Sequence, residues 1–90
     1  MSEARQRVDV WLFQARFLKS RALAARFVSD GQVRLERAGL ISRLEKPAHP
    51  VQPGDILSFA HGGLICRVEI RALGVRRGPA AEARLLYELR

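Results

Sequence analysis

The chain has 90 residues, enough for one small domain in which folding buries only about 60 % of the surface of the unfolded chain. Hydrophobic residues make up 48 % of it, which argues against disorder and predicts a packed core. Sixteen lysines and arginines against nine aspartates and glutamates give a net charge of +7. Such an excess in so small a domain is typical of a protein that binds a polyanion.

The positive charge is distributed unevenly along the chain. Residues 1–46 hold ten basic and five acidic residues, a net of +5, whereas residues 47–90 hold six and four, a net of +2. Only Lys19 and Lys46 are lysines, so fourteen cations are arginines. A guanidinium group can hold a phosphate with two hydrogen bonds or stack on a base. GC-rich coding also favours arginine, so the positions of the charges matter more than their number.

The residue types exclude several kinds of site. Cys66 is the only cysteine and cannot form an internal disulfide, and with only His49 and His61 no metal-ligand spacing exists. Cys66 lies in an apolar run and is expected to be buried and inert. We expect no cofactor and no small-molecule substrate. No apolar stretch has the length of a signal peptide or a membrane span, so we expect a cytoplasmic protein with no membrane partner.

Two amphipathic helices are predicted at the start of the chain. Apolar residues recur at helical spacing from Val8 to Leu18, which places Trp11 in the core. Ser20 is the expected N-cap of a second helix that ends at Gly31, in the left-handed position that favours glycine. The link between the helices would be only two or three residues, so the helices should pack steeply or antiparallel.

The pattern changes to a period of two after the second helix. Residues 32–36 alternate, so Val33 and Leu35 should face inward and Arg34 outward. We expect a polar loop over 37–45, an extended segment from Lys46, a turn at 53–55, strands over 56–60 and 64–72 joined as a hairpin, and a short helix or closing strand over 80–89. Helices followed by strands indicate a single α+β domain over residues 1–90.

The strongest candidate site is the block Arg16–Arg21, which reads RFLKSR and places three cations around a helix start. With Ser20 as N-cap, the N–H groups of the next turn lie near Lys19 and Arg21, where a phosphate would gain charge-assisted hydrogen bonds and the helix dipole together. An ordinary capped helix with solvated neighbours has the same sequence. Arg26 is a weaker candidate for phosphate binding, because it does not share a helix face with Arg21.

Other basic and aromatic residues leave alternatives open. Arg5 and Arg7 precede the first helix and are either phosphate contacts or solvated terminal residues, with Arg7 the stronger candidate. Trp11, Phe13 and Phe17 could stack on unpaired bases, although aromatic residues at helical spacing are more often core. We prefer the core for Trp11.

No pattern in the chain indicates catalysis. The acidic residues and histidines show no pairing of a nucleophile with a base. Pro53-Gly54-Asp55 is explained as a turn, and Gly62-Gly63 as a hairpin turn rather than a phosphate-binding loop. We therefore predict a protein that is not an enzyme.

Motifs spaced over residues 7–59 resemble the S4-type RNA-binding domain. They are Arg7–Leu12, Lys19–Ala24, Gly31–Val33, Lys46-Pro47 and Val51–Asp55. In that family two helices and an adjoining strand form the αL motif, whose basic face holds structured RNA. The resemblance implies two N-terminal helices packed on a small antiparallel sheet. It also implies RNA contacts at Arg7, Lys19, Ser20, Arg21, Gln32, Val33, Arg34 and Lys46.

The rest of the chain resembles the small ribosome-associated heat-shock proteins of bacteria. This resemblance rests on Trp11 with Ala15-Arg16-Phe17, on Arg76–Ala83 and on Leu86–Glu88. Members of that family bind the large ribosomal subunit, notably one that still carries a nascent chain on its tRNA, and are thought to help rescue it. It implies large-subunit ribosomal RNA as the partner, with a core motif over 7–59 and a family-specific part over 60–90.

Two alternatives and one departure accompany this interpretation. S4-type domains also occur attached to RNA-modifying enzymes, so the chain could be an accessory module that works with a separate enzyme. A DNA-binding helix-turn-helix is disfavoured, because Leu23, Phe27 and Val28 assign much of the second helix to the core. The departure is at residues 36–45, which are about four residues longer than in the family and contain Ala38-Gly39 in place of an Asn-Gly turn.

Overall fold

Helices and an antiparallel sheet, in the order expected of an α+β fold, make up residues 4–90, the part of the chain that the computed structural model describes. The elements in chain order are β1 (Gln6–Arg7), α1 (Val8–Gln14), α2 (Arg21–Ser29), β2 (Val33–Arg37), β3 (Leu40–Leu44), β4 (Pro50–Val51), β5 (Ile56–His61), β6 (Leu64–Ile70), α3 (Ala80–Ala83), one turn of 3₁₀ helix (Arg84–Leu86) and β7 (Tyr87–Leu89). No helix within these residues is both long and apolar enough to cross a membrane.

The main sheet has five antiparallel strands in the order β3-β2-β5-β6-β7, and β1 pairs separately with β4. Alternation along the strands gives the sheet an inner and an outer face. Inner-face residues such as Val33, Leu57 and Val68 are fully buried and share one cluster with α1 and α2. Arg34 and Arg67 lie on the outer face, which the two helices leave uncovered. The sheet therefore has a packed side and an open side.

Helix α1 ends four residues earlier than the apolar spacing predicts. Arg16 has a φ of +67°, its N–H donates to the Phe13 carbonyl at 3.0 Å, and the N–H of Phe17 donates to the Leu12 carbonyl at 3.0 Å. This pair of bonds is the Schellman closure that normally uses a glycine. The predicted helix to Leu18 is therefore wrong, and so is the two- or three-residue link, because six residues, 15–20, join the helices.

Aromatic packing accounts for the early end of α1. Phe17 leaves the helix and packs against Phe59 and Tyr87, with ring centroids 5.0 and 4.9 Å away. Full burial of a Phe ring is worth roughly 1.5–3 kcal/mol, so even the partial burial of Phe17 is comparable to the roughly 1–2 kcal/mol cost of one left-handed residue other than glycine. Trp11 is fully buried beneath this cluster, and its indole N–H donates to the Ala72 carbonyl at 3.0 Å. The prediction of a core role for Trp11 is confirmed.

Helix α2 begins and ends where the sequence predicts. The hydroxyl of Ser20 accepts the N–H of Leu23 at 3.0 Å, which makes Ser20 the N-cap. Gly31 has a φ of +74°, and its N–H donates to the Val28 carbonyl at 2.9 Å. These bonds satisfy groups that every helix leaves open at its ends.

The segment expected to be a polar loop is a second hairpin. Strand β3 pairs along its whole length with β2, from Arg37 opposite Leu40 to Val33 opposite Leu44. The turn is Ala38-Gly39, with φ values of +53° and +78°. Two successive positive φ values are the geometry of a type I′ turn, which normally requires Asn-Gly or Gly-Gly. The prediction of a loop was wrong because an alanine in the left-handed region carries no sequence signal for this turn.

An ion pair with a buried carboxylate and a partly exposed guanidinium links the turn before β5 to the end of β2. Asp55 is 1 % exposed and accepts two hydrogen bonds from Arg37, at 2.8 and 2.7 Å. It also accepts the backbone N–H of Gln52 at 3.0 Å. The predicted turn at 53–55 is thus confirmed, and Asp55 links it to the hairpin.

The C-terminal half follows the expected order with small differences. Strands β5 and β6 form the predicted hairpin, although β6 ends at Ile70 rather than at residue 72. Residues 80–89 contain both of the expected alternatives, a helical turn followed by β7 at the sheet edge. Cys66 is half-buried rather than buried, and this partial burial raises the pKa of its thiol.

Candidate nucleic-acid interface

The N-terminus of α2 presents an open set of backbone donors between two cations. The Ser20 hydroxyl satisfies the N–H of Leu23 only, and a helix offers its other first-turn N–H groups no internal partner. Lys19 and Arg21 flank this end and are both exposed. The arrangement suits an anion, because the N–H groups, the helix dipole and the two side chains all carry the same sign.

Twelve of the sixteen cations fall into two groups according to their partners. Six arginines form ion pairs with carboxylates. These pairs are Arg7–Asp9, Arg37–Asp55, Arg67–Glu36, Arg71–Glu69, Arg76–Glu82 and Arg90–Glu69. Paired charges are largely offset, so these arginines contribute little net potential.

A second group, which we call the unpaired cations, consists of the exposed cations between residues 19 and 46, none of which has a carboxylate partner among residues 4–90. Its members are Lys19, Arg21, Arg26, Arg34, Arg43 and Lys46. All six lie between residues 19 and 46, on α2, β2 and β3 and on the segments next to them. Arg16 and Arg84 are also exposed without a carboxylate partner in the described range, but most such charge lies between residues 19 and 46, where it remains available to an external anion.

Arg43 belongs to this group but was missed by the sequence analysis. It lies directly opposite Arg34 in the β2–β3 ladder, on the outer face. Its side chain also passes close to Gly31, where a Cβ would stand 3.0 Å from the Arg43 Cδ. The sequence of β3, LISRL, does not alternate apolar and polar residues, so the residue pattern carries no strand signal for this position.

Arg7 is held at the start of α1 by a bidentate pair. Its guanidinium donates to both oxygens of the buried Asp9, at 3.0 and 2.9 Å, and these bonds raise the pKa of Arg7 above its ordinary value. Half of the Arg7 side chain remains exposed. Arg7 therefore differs from the unpaired cations in that Asp9 offsets its charge. Arg5 is exposed just before β1.

The segment that carries Lys46 closes the N-terminus of α1. The carbonyl oxygens of Pro47 and His49 accept the N–H groups of Asp9 and Val8, at 3.2 and 2.9 Å. Lys46 is exposed at the start of this segment. The fold thereby brings Lys46 to the same helix end as Arg7, although the two are far apart in the sequence.

Of the strand residues expected to contact RNA, one has no surface with which to do so. Val33 is 0 % exposed on the inner face, so its side chain is a core residue and is removed from the candidate contacts. Its neighbours Gln32 and Arg34 are both exposed. The alternation of β2 separates the three residues, since adjacent strand residues face opposite ways.

The aromatic residues considered for base stacking have partners within the protein. The ring of Phe13 lies under the guanidinium of Arg77, whose Cζ is 5.1 Å from the ring centroid. Phe17 is half-buried against the core cluster and packs on the rings of Phe59 and Tyr87. Their faces are thus largely used by internal contacts.

Comparison with known proteins agrees with the fold and the basic segment. Residues 6–36 match the model of the S4 domain family. The chain is 37 % identical to heat shock protein 15 of Escherichia coli strain K12 over 82 residues, 91 % of this chain and 58 % of that protein. It is 33 % identical to the homolog in Haemophilus influenzae over 88 residues, 98 % of this chain and 63 % of the relative. The chain therefore spans about three fifths of the length of these relatives.

A solved structure agrees over nearly the whole chain. The trimeric structure of Vibrio cholerae heat shock protein 15 superposes with a TM-score of 0.83 at 31 % sequence identity, and the match covers 97 % of this chain and 83 % of that one. The residues that match the S4 domain family include those that form α1, α2 and most of β2 in the structure. The chain belongs to the heat shock protein 15 family.

Proposed function

We propose that the protein binds structured RNA, without catalysing a reaction, through the surface that carries its unpaired cations. The observation that carries this proposal is the concentration of charge, since six exposed cations without a carboxylate partner among residues 4–90 lie between residues 19 and 46, whereas Arg16 and Arg84 are exposed without such a partner elsewhere. Phosphate contacts dominate the affinity of proteins for nucleic acids, and cations with no carboxylate partner have no ion pair to give up on binding. The S4 match over residues 6–36 supports the same surface.

The proposed contacts centre on the start of α2. Lys19, Ser20 and Arg21 would hold one phosphate, with the open N–H groups of the helix completing the site. Other contacts would come from residues that are exposed around it: Arg5, Arg7, Arg26, Gln32, Arg34 and Lys46.

We further propose that the target is ribosomal RNA of the large subunit, bound in the cytoplasm during heat shock or the rescue of stalled ribosomes. Similarity to proteins named heat shock protein 15 supports the stress-related role. The S4 domain supports RNA as the partner class. Folded ribosomal RNA fits an arrangement of separated phosphate contacts, which recognises shape more than sequence.

Charge reversal at the helix start tests the RNA-binding proposal. Lys19→Glu and Arg21→Glu are each expected to weaken binding to a structured ribosomal RNA fragment in a gel-shift titration by about tenfold or more. Arg84→Glu is the matched control, because Arg84 is exposed and unpaired among residues 4–90 but lies beside β7, at the opposite edge of the sheet from β3. If both reversals bind RNA like the wild type, the proposed surface is wrong.

Fractionation of a bacterial lysate on a sucrose gradient tests the target. We expect the protein to sediment with large ribosomal subunits and to leave them when Lys19 is reversed to glutamate. Recovery with one RNA-modifying enzyme instead of subunits would favour an accessory module in place of a ribosome-bound protein.

A further inference from the structure

A groove lies on the outer face of the sheet, beside the unpaired cations of β2 and β3. It forms because β2 begins at Val33, whereas the β5–β6 hairpin extends further and leaves a gap beside the α2–β2 turn. The volume of the groove is about 210 Å³. Its lining includes Gly31, Gln32, Arg34, Ser58, Ala60 and Ile65.

The groove has an apolar wall and a polar wall. Ala60 and Ile65 are paired neighbours on β5 and β6, and Ile65 is 78 % exposed. Across from them lie Gln32 and Arg34, with Ser58 between the walls. A nucleobase is a planar ring with polar edges. Its face can pack against the apolar wall, and its edge atoms can form hydrogen bonds with the polar wall.

Two like charges stand together next to this groove. Arg34 and Arg43 are directly opposite each other in the β2–β3 ladder, on strands about 4.8 Å apart. The next carboxylate along the same face of β2, Glu36, is held by Arg67 at 2.9 Å. Like charges directly opposite in a sheet are destabilising, and an anion bound between them removes the repulsion.

We propose that this groove receives one unpaired nucleotide of the bound RNA, an inference that rests on the proposed RNA-binding function. The phosphate lies between Arg34 and Arg43, and the base lies against Ile65 and Ala60. The volume is below the roughly 300–1,000 Å³ of pockets that enclose a drug-sized ligand, so the groove suits a single base held by its own strand. Unstacked bases are the parts of an RNA that proteins read through ring faces and edges.

The test compares two RNAs that differ only in one nucleotide. One is a fully paired stem, and the other is the same stem with a single extruded nucleotide. The variant is Ser58→Val combined with Ala60→Ile, which fills the groove with β-branched side chains that strands favour. Ser42→Val is the matched control, because it adds the same kind of side chain to β3, outside the groove.

We expect the wild type and the Ser42→Val control to prefer the RNA with the extruded nucleotide by about tenfold, the size of one base contact. The groove-filled variant should lose this preference and still bind the paired stem like the wild type. Arg43→Gln should also lose the preference, and it should melt at no lower temperature than the wild type, since the substitution removes the repulsion with Arg34.

The outcomes separate this inference from the proposed function. If the groove-filled variant keeps the preference, or if the wild type shows none, the groove does not hold a nucleotide. In either case Lys19→Glu should still weaken binding to both RNAs if the proposed function holds. A wild type that binds neither RNA would overturn both proposals.

Discussion

Replacing Arg21 by glutamine should change the salt dependence of RNA binding and leave stability almost unchanged. Each phosphate contact releases condensed counterions, which contributes roughly 0.7–0.9 to the slope of log affinity against log salt concentration. Counting the six unpaired cations alone, with one phosphate each, gives a slope of roughly −4 to −5. Such a slope corresponds to a loss of affinity of roughly 300- to 1,000-fold between 50 and 200 mM salt.

Arg21→Gln removes one of these contacts, so the slope should become shallower by roughly 0.7–0.9. Glutamine has nearly the helix propensity of arginine, and Arg21 is exposed, so the free energy of unfolding should change by less than about 0.5 kcal/mol. Fluorescence anisotropy titrations with a structured RNA at four or five salt concentrations measure the slope. Thermal denaturation followed by circular dichroism measures the stability.

Arg71→Gln is the matched comparison for this experiment. Arg71 is exposed like Arg21, but it pairs with Glu69 and Glu88 at 3.5 and 3.3 Å. Its removal should leave the salt slope unchanged, because no phosphate contact is lost. Equal changes in slope for Arg21→Gln and Arg71→Gln would refute the argument that missing carboxylate partners identify the interface.

Two further predictions concern the stability of the fold. Asp55→Asn should lower the free energy of unfolding by about 2 kcal/mol, less than the roughly 3–5 kcal/mol of a fully buried pair because the Arg37 side chain is partly exposed, and a thermal melt should shift down by about 10 °C. An unchanged melt would mean that the ion pair contributes nothing to stability. The hydrogen bond from Arg90 holds the pKa of Glu69 below its ordinary value. The stability that this bond contributes is therefore present above the pKa of a glutamate in the unfolded chain, about 4.3, and is lost as pH falls through the lower pKa of Glu69 in the folded state. Urea titrations from pH 6 to pH 3 should therefore show a smaller loss of stability in Glu69→Gln than in the wild type, whereas Glu45→Gln, at an exposed residue, should follow the wild type.

Features that depend on neighbouring residues could be predicted from the sequence. The cap at Ser20 and the end of α2 at Gly31 each involve groups within a few positions, so residue type alone indicates them. The alternation of polar and apolar residues around Arg34 likewise predicted which side chains of this strand face outward. The family resemblance added the expectation of an RNA-binding face on these same elements.

Features that depend on distant residues were decided by the tertiary structure alone. Helix α1 ends early because Phe17 packs against Phe59 and Tyr87, far along the chain. Val33 matches the family motif, yet the packing of the sheet leaves it no surface. Neither outcome can be derived from local spacing, because burial is set by the elements that cover a residue.

The sequence determined the overall charge and its N-terminal excess. It did not determine which cations are paired with a carboxylate and which can bind an external anion. Arg37 is neutralised by a carboxylate 18 residues away, and Arg67 by one 31 residues away. The fold brings Arg43 opposite Arg34 with no carboxylate assigned to either among residues 4–90. Net charge is a sum over residues, whereas a free charge depends on which side chains the chain brings within hydrogen-bonding distance.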